Sequence, residues 1–114
     1  MRAGDTMLTR LDVNVAIYRD RVQVTDPKSG FFVDQRADHP FSSESRLVVD
    51  ATRFEHALSH ALRQLLKSGG FMLYRPHATV SPTDPALSPD ERDLVRQALA
   101  DAGFRTVEFG DPEE

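Results

Sequence analysis

Leu11, Val13, Val15 and Ile17 alternate with Asp12, Asn14, Ala16 and Tyr18. A period of two built on β-branched residues predicts a strand with one buried face. Arg19-Asp20 makes a short turn, and Arg21-Val22-Gln23-Val24-Thr25 returns with the same alternation, which predicts a β-hairpin. Asp26-Pro27-Lys28-Ser29-Gly30 is a second turn, with proline fixing its first corner and glycine closing it. Phe31-Phe32-Val33 predicts a third strand, so the first three elements form an antiparallel meander. Adjacent strand residues face opposite ways, so one of the two phenylalanines is expected in the core and the other partly covered. Gln35 to Ser45 is polar, contains Pro40 and is read as a loop; Arg46-Leu47-Val48-Val49 is either a minor strand or a lead into a helix.

The pattern then changes period. Phe54, Leu58, Ala61, Leu62 and Leu65 recur at helical spacing and form one apolar stripe. Thr52-Arg53-Phe54-Glu55 has the form of a capping box at its start, and Gly69-Gly70 is a fitting stop. Phe71 to Ser81 reads as a strand, with Pro76 imposing a bend or delaying the start to His77. Pro82 to Leu87 is a proline-rich loop. Ser88-Pro89-Asp90-Glu91 combines an N-cap serine, a proline at the first helical position and a box-closing glutamate. Leu94, Val95, Ala98, Leu99 and Ala102 form the buried face of that second helix, Gly103 stops it, and Phe104 to Phe109 is a last strand. The predicted order is β-β-β-α-β-α-β: an α/β domain with a mixed sheet and helices packed on it, an order characteristic of ribonuclease H-like folds and of the core of actin-like ATPases.

Composition narrows the chemistry. The chain has 114 residues, 39% of them hydrophobic and 28% charged, which predicts one globular domain over 1–114, with 1–6 and 110–114 as flexible ends. There is no cysteine, so disulfides, thiol nucleophiles and thiolate metal sites are excluded, and a reducing cytoplasm is the expected compartment. The N-terminus lacks the apolar run of a secretory signal, and no stretch approaches the roughly 20 apolar residues of a membrane span. Net charge is −4 with acids and bases interspersed, which disfavours a nucleic-acid surface.

From Arg46 to Phe109 the chain resembles part of the first half of a bacterial actin of the MreB type. The matching residues are Leu47-Val48-Val49-Asp50, the helix to Leu66, Tyr74-Arg75-Pro76, Ser88-Pro89-Asp90-Glu91-Arg92 and Ala102-Gly103-Phe104-Arg105-Thr106-Val107. Pro82-Thr83-Asp84-Pro85-Ala86-Leu87 also resembles a loop of eukaryotic actin. Actin-like ATPases carry a glycine-containing phosphate loop on the first hairpin, whereas Thr9-Arg10-Leu11-Asp12-Val13-Asn14 has no glycine, and a second lobe does not fit in this length. The resemblance places Glu91 near a glutamate associated with the attacking water, but capping accounts for Glu91 here. ATP binding is therefore not expected, and neither is any other cofactor.

Candidate chemistry is sparse. His56 and His60 stand four apart on one helix, the spacing of a metal-chelating pair, but no further ligand is evident and a solvated helix face is the expectation. His77 is expected at a strand edge. Asp12, Glu55 and Asp84 fall on the elements that carry the metal-binding acids of ribonuclease H-like nucleases, so a small divalent-metal-dependent nuclease is the alternative function. Ser42, Ser43 and Ser45 lie near His39 without a nucleophile elbow, and Lys67-Ser68-Gly69-Gly70 is a helix exit rather than a nucleotide loop. No catalytic, cofactor-binding or metal-binding residue is assigned. The first expectation is a non-catalytic module acting through contacts with a protein partner or with itself, at a sheet edge and the Gln35–Ser45 loop.

Overall fold

The computed structural model describes residues 12–69 and 77–110. Strands β1 (Asp12–Tyr18), β2 (Arg21–Thr25) and β3 (Phe32–Arg36) are followed by helix α1 (Ala51–Gly69), strand β4 (His77–Val80), helix α2 (Pro89–Asp101) and strand β5 (Thr106–Phe109). They form a small α/β domain around one five-stranded mixed sheet, ordered β3-β2-β1-β4-β5. β1–β2 and β2–β3 are antiparallel; β1–β4 and β4–β5 are parallel.

The predicted alternation determines which face is covered. Val13, Val15, Ile17, Val22, Val24, Ala78 and Val80 are buried and share one core with Phe54, Leu58, Leu65, Val95 and Leu99 of the helices. α1 packs over β2 and β3, α2 packs over β5, and the helices touch each other, so both lie on this face. Residues of the opposite parity, including Asn14, Ala16, Gln23, Thr25, Asp34 and Thr79, point the other way. No described helix covers that second face.

The first turn does more than reverse the chain. Asp20 has a left-handed φ of 56°. Its Oδ1 accepts the backbone N–H groups of Phe41 (3.0 Å) and Ser42 (2.8 Å), and its own N–H donates to Ser42 Oγ (3.0 Å). Arg19 donates to the Ser43 carbonyl. The hairpin tip thus ties down the segment after β3 and drives Phe41 into the core, edge-on to Phe54 at 5.2 Å and 83°.

Several boundaries differ from the sequence reading. β3 runs to Arg36, so Gln35 and Arg36 belong to a strand rather than to the loop. Leu47 and Val48 are buried but lie in no strand, which resolves that segment as a lead into α1. The N-cap of α1 is not Thr52: the helix starts at Ala51, two residues earlier than a Thr52 cap would place it, Asp50 Oδ1 accepts from Arg53 N–H at 2.9 Å, and Glu55 accepts instead from Ser59 Oγ at 3.2 Å. Aspartate is at least as good a cap as threonine, and from two positions upstream it satisfies the free N–H of Arg53 rather than that of Glu55. Phe104 belongs to the exit of α2, with β5 starting at Thr106. Gly110 is not part of a frayed end: its N–H donates to Val80 O at 2.7 Å, and a Cβ there would meet Pro82 Cδ at 3.0 Å. Leu11, Gly70 and residues 71–76, with the Tyr74-Arg75-Pro76 match, lie outside the described residues, as do the segments 1–6 and 111–114.

α2 is capped as predicted. Ser88 Oγ accepts from Glu91 N–H at 3.1 Å, and Glu91 Oε1 accepts from Ser88 N–H at 2.9 Å. At the other end Gly103, at φ 112°, permits Phe104 N–H to reach Leu99 O and Gly103 N–H to reach Ala100 O, both at 3.0 Å. Ser88→Ala is expected to cost about 1 kcal/mol by removing the cap oxygen. Urea denaturation should show a lower midpoint at unchanged slope; an unmoved midpoint would show that the cap contributes nothing.

Candidate interaction surface

Among the described residues the second sheet face and the β3 edge are left uncovered by helix or strand. β3 is terminal in the sheet, so among the described residues no strand pairs with its outer edge. The bonds flanking β3, Asp26 N–H to Phe31 O (2.8 Å) and Ala37 N–H to Asp20 O (2.9 Å), fix the alternation of the ladder. Val33 and Gln35 therefore turn their N–H and C=O toward β2, and Phe32, Asp34 and Arg36 turn theirs outward. The side chains of these last three residues are all exposed and share the uncovered face.

Neither phenylalanine of the pair is in the core. Phe31 is 45% exposed and Phe32 57%, against the expectation that one would be buried. The reason is register: Val33 takes the core-facing position opposite Val24, Phe32 lies opposite Thr25 on the open face, and Phe31 lies between the Asp26–Gly30 turn and the start of β3. Beside them Arg21 is doubly engaged, 2.7 Å from Asp34 Oδ2 and stacked 4.3 Å over the Tyr18 ring. Arg36 makes no ion pair among the described residues.

Further along the same face is a groove of about 550 Å³, floored by Asn14 and Ala16 and walled by Tyr18 and the Ser81–Asp84 loop. Among the described residues its lining holds amides, hydroxyls and the Asp84 carboxylate and no lysine or arginine, which gives a phosphate no counter-charge from them. The nearby hairpin tip presents the Asp20 carboxylate rather than a cradle of free N–H groups.

The acids singled out for metal chemistry are not brought together. Asp12 opens β1 on the uncovered face beside His77, and Asp84 follows β4 at the opposite end of that parallel pair. Glu55 sits on α1, across the sheet from Asp12. Among the described residues no three His, Cys, Asp or Glu side chains gather to hold a metal ion. His56 and His60 have ring centroids 6.2 Å apart, and His56 Nε2 lies 3.5 Å from Asp38 Oδ2 on the exposed surface.

His77 is not at a sheet edge, because β4 is flanked by β1 and β5; it is buried, with Nδ1 on Thr106 Oγ1 and Nε2 3.4 Å from Glu108. Ser42 and Ser43 serve the loop itself, Ser43 Oγ accepting from Arg46 N–H at 3.1 Å. The residue that sequence reasoning most underestimated is Glu91. Besides closing its capping box, its Oε2 accepts from the buried backbone of Leu47 (2.8 Å) and Val48 (3.1 Å). Burial pushes this carboxyl upward. The hydrogen bonds from Ser88, Val48 and Leu47 outweigh that and hold it below its ordinary value of 4.5.

No protein-family model matches the chain, and no curated protein is similar to it. Among the described residues no helix is long and apolar enough to cross a membrane.

Proposed function

We propose that this domain is a non-catalytic protein-contact module that takes an extended strand of another chain along the outer edge of β3. The observation that carries this reading is the coincidence of an unpaired sheet edge with Phe31 and Phe32 exposed beside it. Edge strands are ordinarily blunted by proline, charged side chains, bulges or a covering element; the five residues Phe32–Arg36 contain no proline, pair with β2 without interruption, and carry two charges of opposite sign, Asp34 and Arg36, so the edge bears no net charge to repel a partner. Strand addition draws affinity from main-chain hydrogen bonds and specificity from alternate side chains, which here are Phe32, Asp34 and Arg36.

We read the architecture as ribonuclease H-like, a reading supported by the element order and by a central β1 flanked by one antiparallel and one parallel partner. The actin-like likeness rests on the sequence pattern alone. The nuclease alternative is the weaker reading, because Asp12, Glu55 and Asp84 stand apart. No nucleotide is assigned, and the composition of the groove favours none.

Selection of a displayed library of extended peptides against the domain tests the reading. Selected peptides are expected to shift the amide resonances of Phe32, Asp34 and Arg36, and Asp34→Pro is expected to abolish binding. Proline at that position removes an outward N–H and costs no backbone bond to β2; Asp34→Ala, which loses the same 2.7 Å ion pair with Arg21 but keeps the N–H, is expected to retain binding. Peptides that bind elsewhere, or that bind Asp34→Pro equally well, would refute it.

A further inference from the structure

We infer that a second copy of this chain is a partner for the β3 edge, joined by antiparallel β3–β3 pairing in which Asp34 and Arg36 of each copy lie opposite Arg36 and Asp34 of the other. The inference rests on the strand-capture reading above and names its occupant. Three observations lead to it.

The first is the pattern of charge. Asp34 and Arg36 are two residues apart on one exposed face of the edge strand. Arg21 occupies Asp34 Oδ2, leaving the other carboxylate oxygen open, and Arg36 has no ion-pair partner among the described residues. One edge therefore carries both an unsatisfied cation and a carboxylate able to accept again. An antiparallel copy turned about a two-fold axis through Gln35 places each opposite its complement, giving two equivalent cross-strand pairs. Opposite charges directly across a ladder attract, and like charges repel. The neighbouring two-fold register, centred on Asp34, would oppose two carboxylates.

The second is the backbone. Residues 34 and 36 turn their N–H and C=O groups outward, so in this register the residues that face each other are also those able to exchange hydrogen bonds. The Arg36 carbonyl is held by its neighbour Gln35 Nε2 at 2.8 Å, an exposed contact that incoming backbone replaces. The third is apolar. Phe32, 57% exposed, lies diagonal to Arg36 of the second copy, within reach of that residue's aliphatic stem.

A contact confined to one short strand is smaller than a standard stable interface, so the dimer is weak and concentration-dependent. Sedimentation equilibrium from micromolar to millimolar protein tests it. The wild-type mass is expected to rise from that of the monomer toward twice that value, less so at high salt. Asp34→Arg and Arg36→Asp are each expected to remain monomeric, since each makes the edge repel its own copy. An equimolar mixture of the two is expected to regain association, because each charge then faces its opposite. Arg36 makes no ion pair among the described residues, so Arg36→Asp is readable even where Asp34→Arg weakens the fold. A wild type that stays monomeric at millimolar concentration would overturn the inference, as would variants that associate unchanged or a mixture that shows no rescue. A monomeric wild type whose β3 edge still selects peptides would remove the second copy as partner and leave strand capture standing.

Discussion

Phe41→Ala is expected to destabilise the domain by about 3–5 kcal/mol, the usual cost of emptying a phenylalanine site in a closed core. Phe41 is fully buried, and its ring meets Phe54 edge-on, so its loss removes both apolar burial and an aromatic pair. The site has little means of collapse. The Phe41 backbone is held by Asp20 on its N–H, and its carbonyl accepts from Val49 N–H at 2.8 Å. Small domains have a total stability of about 5–15 kcal/mol, so the variant is expected to melt far below the wild type or to be unfolded at 37 °C. Thermal unfolding followed by circular dichroism checks this. A shift of only a few degrees would mean that the loop does not anchor the core.

Glu91→Ala is expected to cost about 3 kcal/mol, because it strands the N–H groups of Ser88, Leu47 and Val48 away from water. Glu91→Gln keeps an acceptor but sets an amide N–H against one of those donors, and should fall between alanine and wild type. The charge also makes stability depend on pH. The folded-state pKa lies below the unfolded value, so the native state releases this proton more readily. The resulting stabilisation is fully present above about pH 4.5 and is lost as the pH falls through the folded-state pKa. Denaturation midpoints of wild type and Glu91→Gln should therefore converge on acidification. Parallel curves would show that the ionised carboxylate is not what holds the 47–48 segment.

These two residues mark the limit of what was legible in the chain. The strands, both helices and the Ser88–Glu91 box were readable because each is written locally, as a period of two, a period of 3.6 or a four-residue cap. Phe41 was hidden in a polar loop: its burial depends on Asp20, and nothing within a local window links the two. Glu91 was readable as a cap but not as the acceptor for Leu47 and Val48, which come from far along the chain. The Thr52–Glu55 box lost to Asp50, a local competitor that a motif search passes over. At the candidate surface, the charges and aromatics of Phe31–Arg36 were visible, but which of them share the outer edge depends on a register fixed by Val33 opposite Val24.

The sheet order has a kinetic consequence. Val15 finds its β2 partner Val24 nine residues along the chain and its β4 partner Val80 sixty-five residues along. The first closure is nearly free of loop entropy, whereas the second confines everything between. Barrier crossing is therefore expected to be governed by the seam between β1 and β4 rather than by the hairpin, since distant pairings slow folding. A mutation that loosens Val80 should retard refolding more than one of equal cost in the β2–β3 hairpin. The long-range parallel seam between β1 and β4 is thus the domain's clock as well as its spine.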